Sequence, residues 1–241
     1  MSLQTVTWGY LLPLTSARTL RLALLASAVF FGAVLVGRSI GLISAEMLLS
    51  LRHGVVVPGI PFGAALLSEL AIREGITQRT LLYALIGPVA RRELLIGRTL
   101  LTAAQLAVLG LLASCALQVL SGASGEGLGR ELGAIVVGSV AYTSLFGIIH
   151  LVSRRGLVSA IALHVMLDDP IGRLPFSIRM ISPAFHLRTM AGLEDTFQLP
   201  ISIDAAESGV LISTLALFLL SGIALAVSAR LFEKKPLGEL C

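Results

Sequence analysis

Six stretches of this chain carry almost nothing that water would hold. The last is the clearest: from Val210 to Phe232 no charged residue occurs before Arg230. A helix needs about 20 mostly apolar residues to cross a hydrocarbon core about 30 Å thick. In that solvent every backbone N–H and C=O must find its partner within the protein. The runs predict six helical spans, at about 22–40, 55–72, 99–120, 131–152, 156–176 and 209–232, in one all-α membrane domain over residues 1–241. The fifth is the weakest. It is clean only from Gly156 to Leu167, and reaching 176 takes Asp168, Asp169 and Arg173 along. Composition points the same way. Hydrophobic residues make up 56% of the chain and charged residues 13%, where soluble domains carry about 25% charged residues. A disordered chain and a water-soluble globular domain are both excluded.

The ends of the spans fix an orientation. The triplet Ala26, Ser27, Ala28 has the small residues of a signal-peptide cleavage site, but Val29, Phe30 and Phe31 follow at once. The first run therefore reads as an uncleaved span. Ahead of it, Trp8 and Tyr10 mix with Leu11, Leu12 and Leu14, a composition suited to lying along the membrane interface. With the N-terminus in the cytoplasm, 12 basic residues fall inside, among them Arg73, Arg79, Arg91, Arg92, Arg98, Arg154, Arg155 and Arg230. Six fall outside: Arg38, Arg52, Arg130, Arg173, Arg179 and Arg188. Short cytoplasmic loops hold the excess of Lys and Arg, so both termini are expected in the cytoplasm. The net charge of +4 thus serves topology, and no nucleic-acid partner is implied. The two cysteines, Cys115 in an apolar run and Cys241 at the end, form no disulfide framework or metal spacing.

Two connections are longer than turns. Residues 168–208, external in this topology, keep Ile171, Leu174, Phe176, Ile178, Met180, Ile181 and Phe185. An apolar connection of this kind predicts a segment that dips back among the helices, where protein shields its backbone. Residues 73–98 are cytoplasmic. Within them Thr77 to Leu85 can form a short helix with Leu81, Leu82 and Leu85 on one face, broken by Gly87 and Pro88. The chain then restarts at Val89 and runs into the third span. An amphipathic helix pinned between two spans offers a soluble partner a handle. Read more plainly, the arginines of this loop only set topology.

In this loop the chain resembles the membrane subunit of ABC-2 type ABC transporters. The residues that carry the resemblance are Glu74, Gly75, Leu81, Leu82, Pro88, Val89, Arg91, Gly97 and Arg98, in that order. A second stretch is also similar: Leu174 and Pro175, then Ile181 to Leu187, then Ala191, Gly192 and Leu193. The basic close from Arg230 to Lys235 has the same look. The resemblance implies a six-span permease in a bacterial plasma (inner) membrane, exporting by alternating access. It implies dimerisation with a second copy or a related permease, and pairing with a separate cytoplasmic ABC ATPase subunit. The coupling residues it implies are Glu74, Gly75, Thr77, Arg79, Leu81, Leu82, Leu85, Pro88, Arg91 and Arg92. It also implies short re-entrant helices before the last span. No cofactor is expected in this chain, because ATP and Mg belong to the partner. In agreement, the Gly-rich stretch Gly122 to Gly129 has no Lys for a phosphate loop and reads as a turn. The substrate class stays open.

Polar residues within the spans are the remaining candidates. Gln105, His164 and Asp168 are the candidates for a translocation path, since ionisable or polar groups at membrane depth carry function by default. Structural hydrogen bonding is the plainer reading of Gln105 and His164. Glu69 is expected to pair with Arg73, four residues on. A reading from a different class is an intramembrane protease of the CAAX-protease-like type. It rests on Phe146 with His150 and on His164 with Asp168, but the acidic Glu-Glu-x-x-x-Arg element of that family is missing. The Gly122-Ala123-Ser124-Gly125 match to a rhomboid motif is followed by Glu126, Arg130 and Glu131, which make a wet loop.

Overall fold

The structure, a computed structural model, describes residues 25, 28–29, 32–74, 90–122, 124–174, 177–193 and 209–234. The expected interfacial segment around Trp8 and Tyr10, the whole of the Gly75–Pro88 segment and residues 194–208 lie outside the described residues. Every described element is helical.

Helix α1 covers 32–39. Helix α2 begins at Ala45, capped by the Ser44 side chain, which accepts the Met47 N–H at 3.2 Å. It continues without interruption through Ala45–Gly54, a π-turn at Val55–Gly59, Ile60–Ser68 and a second π-turn at Glu69–Glu74. The first π-turn holds Pro58, which has no N–H for the Gly54 carbonyl. That carbonyl stands 3.1 Å from where a Cβ on Gly59 would lie, so the widened turn tolerates only glycine there without a shift. Sequence reading starts this span at 55 and places Arg52 in an external loop. The structure instead carries the helix back to Ala45 with Arg52 inside it.

Helix α3 is Arg91–Ser121 and ends on Gly122, whose φ of 67° is the left-handed conformation glycine adopts at helix ends. Helix α4 is Leu128–Val152. Helix α5 starts at Gly156–Leu163, widens into a π-turn at His164–Asp168 and ends in Asp169–Gly172. A 3₁₀ turn at Ser177–Ile181 leads into α6, Pro183–Ala191. Helix α7 is Val210–Lys234.

Four of these helices are long and apolar enough to cross a membrane: Ala45–Ile72, Arg91–Ser121, Leu128–Val152 and Val210–Lys234. The fold is that of a multi-pass helical membrane protein. The expected fifth span runs as one helix from Gly156 through Asp168, Asp169 and Pro170 to Gly172, shorter than the other four, and Pro170 leaves the Met166 carbonyl without its N–H.

Helix α4 is the centre, touching α2, α3, α5, α6 and α7. Its Tyr142 and Phe146 are fully buried, with Ile60 of α2, Leu187 of α6 and Leu217 of α7 in the same cluster. Helix α7 meets α4 and α3 through Ser213, Leu217, Ser221, Ala224 and Ser228. Small residues at this spacing let helix backbones approach closely where lipid gives no hydrophobic drive. Its other face, with Leu211, Leu215, Phe218, Leu219 and Ile223, is exposed.

Candidate functional site

Three polar sites lie at different levels of the bundle. The first is where α5 and α6 meet. Asp168 ends the π-turn of α5 and Ser182 caps α6. One carboxylate oxygen of Asp168 accepts the Tyr142 hydroxyl at 2.6 Å and His164 Nδ1 at 2.9 Å. The other accepts the Ser182 hydroxyl at 2.6 Å and the Ala184 N–H at 3.0 Å. A negative group thus sits at the N-terminus of α6, where the helix dipole and open N–H groups favour one. The close approach needs Gly172, since a Cβ there would meet the Ser182 hydroxyl at 2.7 Å. His164 also stacks edge-on against Phe62 and Tyr142.

This junction lies deep. Tyr142 is about 20 Å along α4 from its start and about 15 Å from its end, at 1.5 Å per residue. Asp168 is therefore close to mid-depth, and α6 runs from there back toward the start of α4. At that end Arg130 Nη2 donates to the Thr189 carbonyl of the last turn of α6 at 2.9 Å. Helices α5 and α6 run in the same sense, toward the start of α4, and Asp168 and Ser182 are buried where they meet.

The second site is an ion pair near that same end of the bundle. Arg52 Nη2 meets Glu131 Oε1 at 2.8 Å, and both side chains are buried. Arg52 Nη1 also donates to Gln118 Oε1. His53 Nε2 lies 3.5 Å from the same Glu131 oxygen. The cluster ties α2, α3 and α4 together.

The third site is at the opposite end. His150 Nδ1 lies 2.8 Å from Glu69 Oε2, and its Nε2 is 3.1 Å from the Ala65 carbonyl. Gly156, at the start of α5, packs so closely on His150 that a Cβ there would collide with the ring. Nearby, buried Arg98 of α3 donates to the Ala71 carbonyl of α2 at 2.8 Å. That bond joins the two helices that flank the cytoplasmic connection expected to couple to a partner.

The candidates named from sequence are distributed as follows. His164 and Asp168 are brought together, and both are buried. Gln105 is half-buried on α3 and takes no part in their cluster. Glu69 stands against His150, while the side chain of Arg73 lies outside the described residues. Arg91 and Arg92 open α3. Glu74 ends the last turn of α2, its side chain again outside the described set. Gly75, Thr77, Arg79, Leu81, Leu82, Leu85 and Pro88 lie outside the described residues. His150 and His164, the protease candidates, each face a different carboxylate. Tyr142, beside His164, is about 12 Å from His150 along α4. Among the described residues no group of three or more His, Cys, Asp or Glu is placed to hold a metal ion.

Sequence reading missed the roles of Tyr142, Ser182 and Arg52. Only Ser182, directly before Pro183, carries a local signal, that of a helix cap. Comparison with family models gives no match to this chain, and comparison with curated proteins gives none either.

Proposed function

We propose that this chain is the membrane-spanning permease subunit of an ABC-2 type exporter, with six spans counted as four full helices, the N-terminal run and the fifth. In that count the fifth span is α5, unbroken from Gly156 to Gly172. The chain dimerises with a second copy or a related permease in a bacterial plasma membrane, both termini cytoplasmic. The catalytic ATPase is a separate cytoplasmic subunit, and ATP and Mg bind there. The observation that carries this reading is the Arg98–Ala71 bond. It locks α2 to α3 at the base of the connection that holds Leu81 and Leu82, so a load on that connection reaches both helices together. Helix α5 and the short α6, which meet beside Tyr142, add support: short helices before the last span are what the resemblance implies.

For the chemistry to be transport, substrate must bind the inward and outward states differently, or ATP turnover has nothing to shift. The test is mild solubilisation of the native membrane, purification through a tag, and identification of what accompanies the chain. A stoichiometric P-loop ATPase with vanadate-sensitive turnover supports the proposal. A chain that purifies alone and without ATPase activity overturns it.

A further inference from the structure

Among the described residues around the α5–α6 junction, Arg130, Arg173 and Arg188 each donate to a carbonyl or carboxylate oxygen. Arg179, in the 3₁₀ turn that leads into α6, does not. Its guanidinium carbon stands over the Phe185 ring, 4.7 Å from the centroid. Its Nε is buried without an acceptor. Among the described residues no carboxylate or carbonyl takes its other N–H groups. Phe185 is only 6% exposed, while Arg179 is partly covered. The cation therefore lies on a buried ring and can still be reached from outside.

Depth makes this costly. Ser182 donates its hydroxyl to Asp168 at 2.6 Å and its N–H to the Arg179 carbonyl at 3.0 Å. Arg179 is thus one turn from the level of Asp168, close to the middle of α4. Phe185, under the guanidinium, belongs to the first turn of α6. A cation at that depth is held by an anion, a carbonyl or water. An aromatic face attracts the cation through its quadrupole but brings no counter-charge. Phe185 therefore fixes where the guanidinium lies and leaves its N–H groups unspent. A planar guanidinium takes a phosphate group through two parallel N–H···O bonds.

We propose that Arg179, seated on Phe185, is the anchor of a binding site for an organic phosphate. One cation matches one negative charge, which is what a phosphodiester carries. The surrounding bilayer supplies that group, and so does a soluble organic phosphate; the experiment separates the two. The site does not depend on the transporter reading.

The test is native mass spectrometry of the whole chain in a neutral detergent. The probes are dioleoyl phosphatidylglycerol, dioleoylglycerol with the same chains and no phosphate, and glycerophosphoglycerol with the same headgroup and no chains. The wild type should retain phosphatidylglycerol at least about tenfold better than dioleoylglycerol. Arg179→Gln should lower that preference about tenfold, and Arg179→Lys, which keeps the charge without the fork, by less. Arg173→Gln, whose guanidinium is committed to Asp169, should leave it within about twofold. Glycerophosphoglycerol displacing the lipid at similar concentration would support the phosphate site and identify a soluble phosphate as its ligand. Full preference in folded Arg179→Gln, or an equal loss in Arg173→Gln, would overturn the proposal. A second readout needs only the wild type and Arg179→Lys. The Arg179 Nε–H resonance, assigned by its absence from Arg179→Lys, should shift with phosphatidylglycerol and not with dioleoylglycerol. A resonance that stays in place with every phosphate probe would equally overturn it.

Discussion

Tyr142 and Asp168, one on the central helix and the other near the end of α5, are joined by a 2.6 Å bond from hydroxyl to carboxylate. The same carboxylate holds the cap of α6, so one side chain fixes where α5 and α6 meet. A hydrogen bond to a charged group contributes about 1.5–3 kcal/mol. Tyr142→Phe should lower stability by about that amount. Asp168→Ala should cost more, about 3–5 kcal/mol, because it leaves the Tyr142 and Ser182 hydroxyls and the Ala184 N–H without their acceptor. Thermal unfolding in detergent, followed by loss of the monodisperse chromatographic peak, would rank the two. Equal melting of wild type and both variants would remove Asp168 from its role as anchor.

Arg52 and Glu131 make a second prediction of the opposite kind. Burying an ion pair is costly, and breaking one by removing a single partner costs about 3–5 kcal/mol. Arg52→Met and Glu131→Leu should each destabilise strongly, while the double variant should recover most of the loss. A double-mutant cycle on thermal unfolding measures the coupling. Additive losses would mean that the two side chains do not depend on each other.

These two pairs also mark what local sequence can and cannot tell. The apolar runs are legible because membrane helices are specified residue by residue by their solvent, so α4 and α7 begin and end close to where hydropathy puts them, and α3 ends there, although it starts at Arg91, well before 99. The start of α2 is not legible, because Arg52 and His53 read as a loop until Glu131, 79 residues away, is placed beside Arg52. The polar end of α5 is visible as Asp168, Asp169 and Pro170. Its purpose is not, because it depends on Ser182, fourteen residues on, and on Tyr142 of another helix. His150 and His164 invite pairing when read along the chain. In space each is taken by the carboxylate of a different level.

The last prediction concerns the connection between α2 and α3. Leu81, Leu82 and Leu85 form the apolar face of the expected short helix there, and the proposed partner needs that face for docking. Replacing Leu81 and Leu82 together with Asp sets two charges in what should be a desolvated contact. Unpaired charge in such an interface costs several kcal/mol, and partner affinity should fall by at least about a hundredfold. The two helices on either side are held by Arg98 and by their own apolar packing, so insertion and thermal stability of the isolated chain should stay within about 0.5 kcal/mol of wild type. Co-purification of the ATPase subunit with wild type and with the double variant, at equal membrane levels, decides it. Unchanged recruitment by a correctly inserted Leu81→Asp, Leu82→Asp chain would mean that the ATPase docks elsewhere, and the Arg98–Ala71 tie would then serve the helix ends alone.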